Sequence, residues 1–122
     1  MRVIISAALI VSFILSSCGT GNESGKMRLI EFISSNCPTC EEIKSSVENI
    51  KAKYKNDLIV EIYNINSEKG SKKASDYGVK KTPSFVFLDS FGIEYFRLEN
   101  YIQQDVIEAL INAKLTESAG AK

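Results

Sequence analysis

The chain has 122 residues, 15 Lys and Arg against 15 Asp and Glu, three Cys, no His and no Trp, and 44% apolar residues. That is the size of one compact domain and too little for a two-domain enzyme. Without histidine, neither a Ser/His/Asp nor a Cys/His catalytic set can be assembled and the commonest metal ligand is missing, while zero net charge with lysines interspersed among acids gives no footprint for nucleic acid.

Met1-Arg2 precedes a run of apolar and small residues from Val3 to Leu15, interrupted only by Ser6 and Ser12. The run is too short to span a bilayer, and a positive start followed by such a core reads as an export signal over residues 1–17. Leu15-Ser16-Ser17-Cys18 resembles the lipobox of bacterial lipoproteins. The resemblance implies cleavage before Cys18 and its acylation, hence a membrane anchor at the cell envelope, in the periplasm or on the outer surface. Residues 18–26 then form the lipidated cysteine and a small, polar linker with three glycines, a flexible tether by composition. Removal of Arg2 with the signal leaves the rest near neutral, with no polybasic patch for lipid headgroups.

The domain is expected over residues 27–116. Leu29-Ile30-Glu31-Phe32-Ile33 reads as a buried strand containing one acid. From Pro38 to Tyr54 the apolar Ile43, Val47, Ile50 and Tyr54 recur at helical spacing, with Pro38 suited to the first turn and Asn36 or Cys37 at the cap. Leu58 to Tyr63 is a second strand, and Ser67 to Tyr77 has helical composition with Gly78 placed to end it. Ser84 to Leu88 and Ile93 to Leu98, joined by the turn residues Asp89-Ser90-Phe91-Gly92, read as a hairpin. Gln103 to Leu115 carries Val106, Ile107, Leu110, Ile111 and Leu115 on one helical stripe, and residues 117–122 read as an unstructured tail. The order is βαβαββα: an α/β domain whose first crossover helix makes strands one and two parallel.

Cys37-Pro38-Thr39-Cys40 sits where the first strand turns into a helix. Two intervening residues let the sulfurs meet across one tight turn, while the helix start directs unpaired N–H groups and the positive end of its dipole at the first sulfur. This makes Cys37 the attacking thiolate and Cys40, one turn in, the resolving thiol. A purely structural disulfide closing so small a loop would constrain the unfolded chain little. Zinc would need four ligands, and copper a histidine or methionine partner, so no metal is expected.

These residues resemble the thioredoxin superfamily, from about Arg28 to Leu115. The resemblance rests on Leu29 to Cys40, on Tyr77-Gly78-Val79-Lys80-Lys81-Thr82-Pro83 leading into Ser84 to Leu88, and on the closing hairpin and helix. It implies a four-stranded mixed sheet flanked by helices, a cis peptide at Pro83 facing the cysteines, and a substrate groove shaped by Thr82, Pro83, Pro38 and Thr39. Glu31, six residues before Cys37, stands where thioredoxins bury an acid behind the resolving cysteine. A carboxyl there would have a raised pKa and could take the proton of Cys40; the alternative is an edge Glu turned to solvent. Departures are Asn36 in place of the usual Trp, Pro-Thr between the cysteines, and Ile62 near the position of the lysine that usually pairs with the buried acid.

The resemblance implies a protein thiol-disulfide oxidoreductase, more a reductant than a disulfide-forming oxidase or isomerase. It needs no cofactor beyond its own Cys37–Cys40 disulfide. Its partners would be protein disulfides or thiols and a membrane thiol conduit that regenerates it, with the domain a monomer. A redox-inert binding lipoprotein on the same fold is the alternative from another class.

Overall fold

A computed structural model describes residues 25–100 and 103–120. The expected signal segment 1–17, Cys18 and residues 19–24 of the linker lie outside them. Apolar β-formers at Met27–Ile33 make β1, Leu58–Asn64 makes β2, Ser84–Leu88 makes β3 and Glu94–Glu99 makes β4, in the sheet order β2-β1-β3-β4. β1 pairs parallel with β2 and antiparallel with β3, and β3 pairs antiparallel with β4, so the sheet is mixed and the closing hairpin forms as the turn residues demand.

Three helices cover the sheet: α1 over Pro38–Lys53, α2 over Glu68–Tyr77 and α3 over Gln104–Gly120. Ile43, Val47 and Ile50 of α1 join Ile107 and Ile111 of α3 in one core with Leu29, Phe85 and Phe87 of the sheet. Ala74 of α2 and Val79 seal a second core with Ile30, Phe32, Val86 and Leu88. The alternation of β1 and β3 is thus apolar on both faces, which only a central strand flanked by helices on each side can satisfy. α1 follows the expected stripe, with Tyr54 as its C-cap and its ring buried. α2 starts after Ser67, whose hydroxyl accepts from the Gly70 N–H at 3.0 Å, and ends at Gly78 in the left-handed conformation at φ 65°.

The tail departs from expectation. Helix α3 continues to Gly120, so residues 117–120 are helical instead of unstructured. Thr116 donates its hydroxyl to the Asn112 carbonyl at 2.9 Å, and Lys114 pairs with Glu117 one turn on at 3.3 Å. These local contacts carry the helix past its apolar stripe, as an i,i+3 ion pair on a helix surface does.

One packing point holds α2 against the end of β2. A methyl group at Gly70 would overlap the backbone carbonyl of Asn64. In an open helix Gly→Ala stabilises, but here the backbones must separate. Gly70→Ala is therefore expected to destabilise the domain by about 2 kcal/mol, read as a lower urea midpoint with an unchanged m-value.

Candidate active site

The site is built where β1 ends. Paired with strands on both edges, β1 runs to Ile33, and the chain must then turn sharply into α1. Asn36 makes the turn in the left-handed region at φ 59°, a conformation that Asn tolerates better than most side chains. Cys37 is the N-cap, with extended backbone, and its sulfur accepts from the Cys40 N–H at 3.1 Å. Pro38, without an N–H, takes the first helical position. Cys37 and Cys40 are joined by a disulfide, their Cα atoms 5.2 Å apart. Cys37 is half-buried at the surface, and Cys40 is buried under its own helix at 7% exposure.

The second loop arrives through the β1–β3 register. Phe32 stands opposite Ser84, which brings Ser34 to Thr82, and their hydroxyls lie 2.6 Å apart. The Thr82–Pro83 peptide is cis, as the resemblance implied. Pro83 is buried and Thr82 half-buried, and the Ser84 hydroxyl donates to the Lys81 carbonyl at 2.5 Å, tying the loop to the strand entry. A third segment closes the rim: the Ser35 N–H donates to Asn66 Oδ1 at 2.7 Å, and the Ile65 N–H to the Ile33 carbonyl at 2.8 Å. The open face in front of the disulfide is lined by Ser34, Ser35, Asn36, Cys37, Pro38 and Asn64. Of the four residues expected to shape the groove only Pro38 lines this face; Thr39, Thr82 and Pro83 are not among its lining residues.

Glu31 points inward. It is 2% exposed, which decides between the two sequence readings in favour of a buried acid. A cavity of about 200 Å³ is lined by Glu31 from β1, by Cys40, Lys44, Val47 and Glu48 from α1, and by Ile62 from β2. The acid and the resolving cysteine thus share one space. Burial pushes the Glu31 carboxyl up to about 7, and the charge of Glu48 across the cavity adds in the same direction. Ile62 is the β2 residue in register with Glu31, so the sheet offers an aliphatic side chain where a counter-charge would lower that pKa.

Ser34, Lys44 and Glu48 escaped the sequence reading. Lys44 and Glu48 were legible in principle: at four and eight residues beyond Cys40 they fall on the same helix face. The Ser34–Thr82 contact joins residues 48 apart and had no local signal.

The Thioredoxin family model matches residues 20–113. Among curated proteins, the chain is similar to the chloroplastic thioredoxin-like protein HCF164 of Arabidopsis thaliana, 27% identical over 90 residues that make up 74% of this chain and 34% of that protein. It is also similar to the protein of that name from Oryza sativa subsp. japonica, 30% identical over 71 residues, 58% of this chain and 27% of that protein. The chain spans about a third of the length of these relatives. Among solved structures it resembles the germline-specific thioredoxin Deadhead of Drosophila melanogaster, with TM-score 0.65 at 19% identity, covering 75% of this chain and 85% of that one. The thioredoxin of Fasciola hepatica gives TM-score 0.63 at 22% identity with the same coverage. These two likenesses show the fold.

The buried acid sets a sign for stability against pH. A carboxyl whose folded pKa lies above its unfolded value binds its proton more tightly when folded, so stability falls as pH rises from about 4.5 to about 7 and then levels. Above pH 7 the loss amounts to about 3 kcal/mol. Glu31→Gln is expected to abolish that slope and to be more stable than the parent at pH 8, measured by denaturant unfolding across pH. Glu48→Gln is expected to shift the slope to lower pH, because it removes the charge that opposes ionisation of Glu31.

Proposed function

The chain belongs to the thioredoxin family, and on that premise we propose that it is a lipid-anchored, extracytoplasmic protein thiol-disulfide oxidoreductase that reduces disulfides of envelope proteins. The observation that carries the reading is the cysteine pair itself. A half-exposed Cys37 caps a helix and is joined to a buried Cys40, and Cys40 shares a cavity with a carboxyl held near neutrality.

The reduced pair would act in two exchanges. The Cys37 thiolate, favoured by the N–H groups of the first turn, attacks one sulfur of a client disulfide. A Cys37–client disulfide forms and the other client sulfur leaves as thiolate. The Cys40 thiolate then attacks Cys37 Sγ, the client sulfur bonded to Cys37 leaves as thiolate, and the Cys37–Cys40 disulfide remains. Two electrons pass to the client. Glu31 in its carboxylate form takes the Cys40 proton as that thiol attacks, and a pKa of about 7 suits both acceptance and return of the proton. The client's approach is assigned to Pro38 and Thr39 of the first turn and to Thr82 and Pro83, and the Ser34 hydroxyl meets that of Thr82 at 2.6 Å.

Anchoring rests on the apolar run from Val3 to Leu15 and on the Leu15-Ser16-Ser17-Cys18 box. A reductant outside the cytoplasm has no soluble electron source, so a membrane thiol conduit would regenerate the pair. No cofactor beyond the disulfide enters the scheme, and the domain acts as a monomer.

Two measurements test this. Equilibrated against glutathione or dithiothreitol buffers, the Cys37–Cys40 couple is expected near the reductant end of the thioredoxin range, about −270 mV; a value near −120 mV would make the protein a disulfide-forming oxidase. Cys40→Ser is expected to accumulate covalent client adducts that dithiothreitol releases, whereas Cys37→Ser forms none. A disulfide that neither buffer opens would overturn the enzyme reading.

A further inference from the structure

The end of the sheet away from the disulfide is built unlike an ordinary solvent-facing rim. The β3–β4 turn presents Phe91 at 83% and Ile93 at 63% exposure, the two most exposed large apolar side chains among the described residues. They are not on a loose loop. The Asp89 carboxylate accepts from the N–H groups of Phe91 at 2.9 Å and Ile93 at 3.0 Å, and the Gly92 N–H donates to the Asp89 carbonyl at 3.0 Å. Gly92 supplies φ 81°, which closes the turn. The backbone is thus held by its own hydrogen bonds while two apolar side chains project outward, and paired exposure of this kind marks a contact surface.

The topology says what faces it. Arg28 pairs with Leu88, so the start of β1 lies beside the start of this turn. The end of α1 is there too, since the Met27 N–H donates to the Asp57 carbonyl at 3.1 Å and Lys26 Nζ to the Lys55 carbonyl at 3.1 Å. The turn therefore shares an end with the point where the chain enters the domain from Cys18. Residues 19–26 reach at most about 27 Å when fully extended, less than the roughly 30 Å across a domain of this size. A lipid anchor at Cys18 would hold the β1 start within about 27 Å of the bilayer, so Phe91 and Ile93 lie at the end of the domain nearest the anchor. The disulfide is at the other end of α1, whose 16 residues measure about 24 Å.

We propose that the β3–β4 turn is a membrane-docking tip, with Phe91 and Ile93 inserting into the bilayer that anchors Cys18 and so holding the Cys37–Cys40 face away from the lipid. The inference rests on the lipid anchoring proposed above. Docking is by apolar insertion and not by charge: the basic residues at this end are interspersed with acids, Lys55 with Asp57 and Lys114 paired to Glu117.

The chain has no Trp, so one Trp is a clean reporter. Full-length Phe91→Trp and Glu99→Trp variants, made in a bacterial host that acylates lipoproteins, are reconstituted in phosphatidylethanolamine/phosphatidylglycerol vesicles with and without brominated acyl chains. Glu99 is exposed at the far end of β4, the disulfide end of the sheet. The expected result is that both variants float with the vesicles, while only the Phe91→Trp emission shifts to the blue and loses most of its intensity to brominated lipid. Flotation with an unquenched Phe91→Trp would leave the anchor standing and overturn the docking. A blue shift that brominated lipid does not quench would place a second copy of the chain on the tip and overturn it equally. Failure to float, matched by a Cys18→Ala control, would overturn the anchoring and the docking together.

Discussion

Placing a carboxyl in the middle of a strand that is hydrogen-bonded on both edges is the constraint on which the site depends. β1 has no free edge, because β2 and β3 occupy both sides, and helices cover both faces of the sheet. Glu31 is therefore almost wholly withdrawn from water, and its ionised form is disfavoured first by desolvation. The fold tolerates it because a small cavity separates β1 from α1 at that level and because the proton can stay on. The same cavity reaches Cys40, so the buried acid and the inner cysteine of the disulfide share one space.

The opposing tendencies at Cys37 have a comparable balance. The helix start supplies N–H groups and a positive dipole end that favour a thiolate, while Glu41 and Glu42, the two residues after the pair, favour the helix and disfavour the thiolate. Across the cavity, Glu48 raises the proton affinity of Glu31, and Ile62 in register with it brings no charge. Among the residues lining the cavity Lys44 is the one cation, and it is exposed on α1. Burial is the larger cause of the raised Glu31 pKa and the charge of Glu48 adds to it.

The disulfide and the chain's entry lie at opposite ends of the domain, set by one topological fact. In a parallel β1–α1–β2 crossover the helix carries the chain from one end of the sheet back to the other. The disulfide sits where α1 begins, and the chain's entry, the end of α1 and the β3–β4 turn gather at the other. The disulfide and the chain's entry into the domain are separated by the length of one helix.

Much of this was legible in the amino-acid sequence. The order βαβαββα, the parallel first pair, the hairpin and a cap for the first helix at Asn36 or Cys37 follow from local signals: apolar periodicity, Pro38 in a first turn, Gly78 at a helix end and turn residues between strands. Such signals act over a few residues, and the structure keeps them within one or two positions. The helix end at Gly120 was missed because contacts one turn apart, Lys114 with Glu117 and Thr116 with Asn112, continued a helix whose composition had ceased to favour it. Whether Glu31 faced solvent or core, and which residues shared its cavity, was undetermined by a five-residue run with no alternation. Sheet order decided that, by putting β1 in the centre, and so did the packing of α1, which set Glu48 across from the acid. Burial and proton affinity are properties of what surrounds a side chain on all sides. A chain read in one dimension determines the elements and their chemistry, and only their assembly in three decides which charges are left without water.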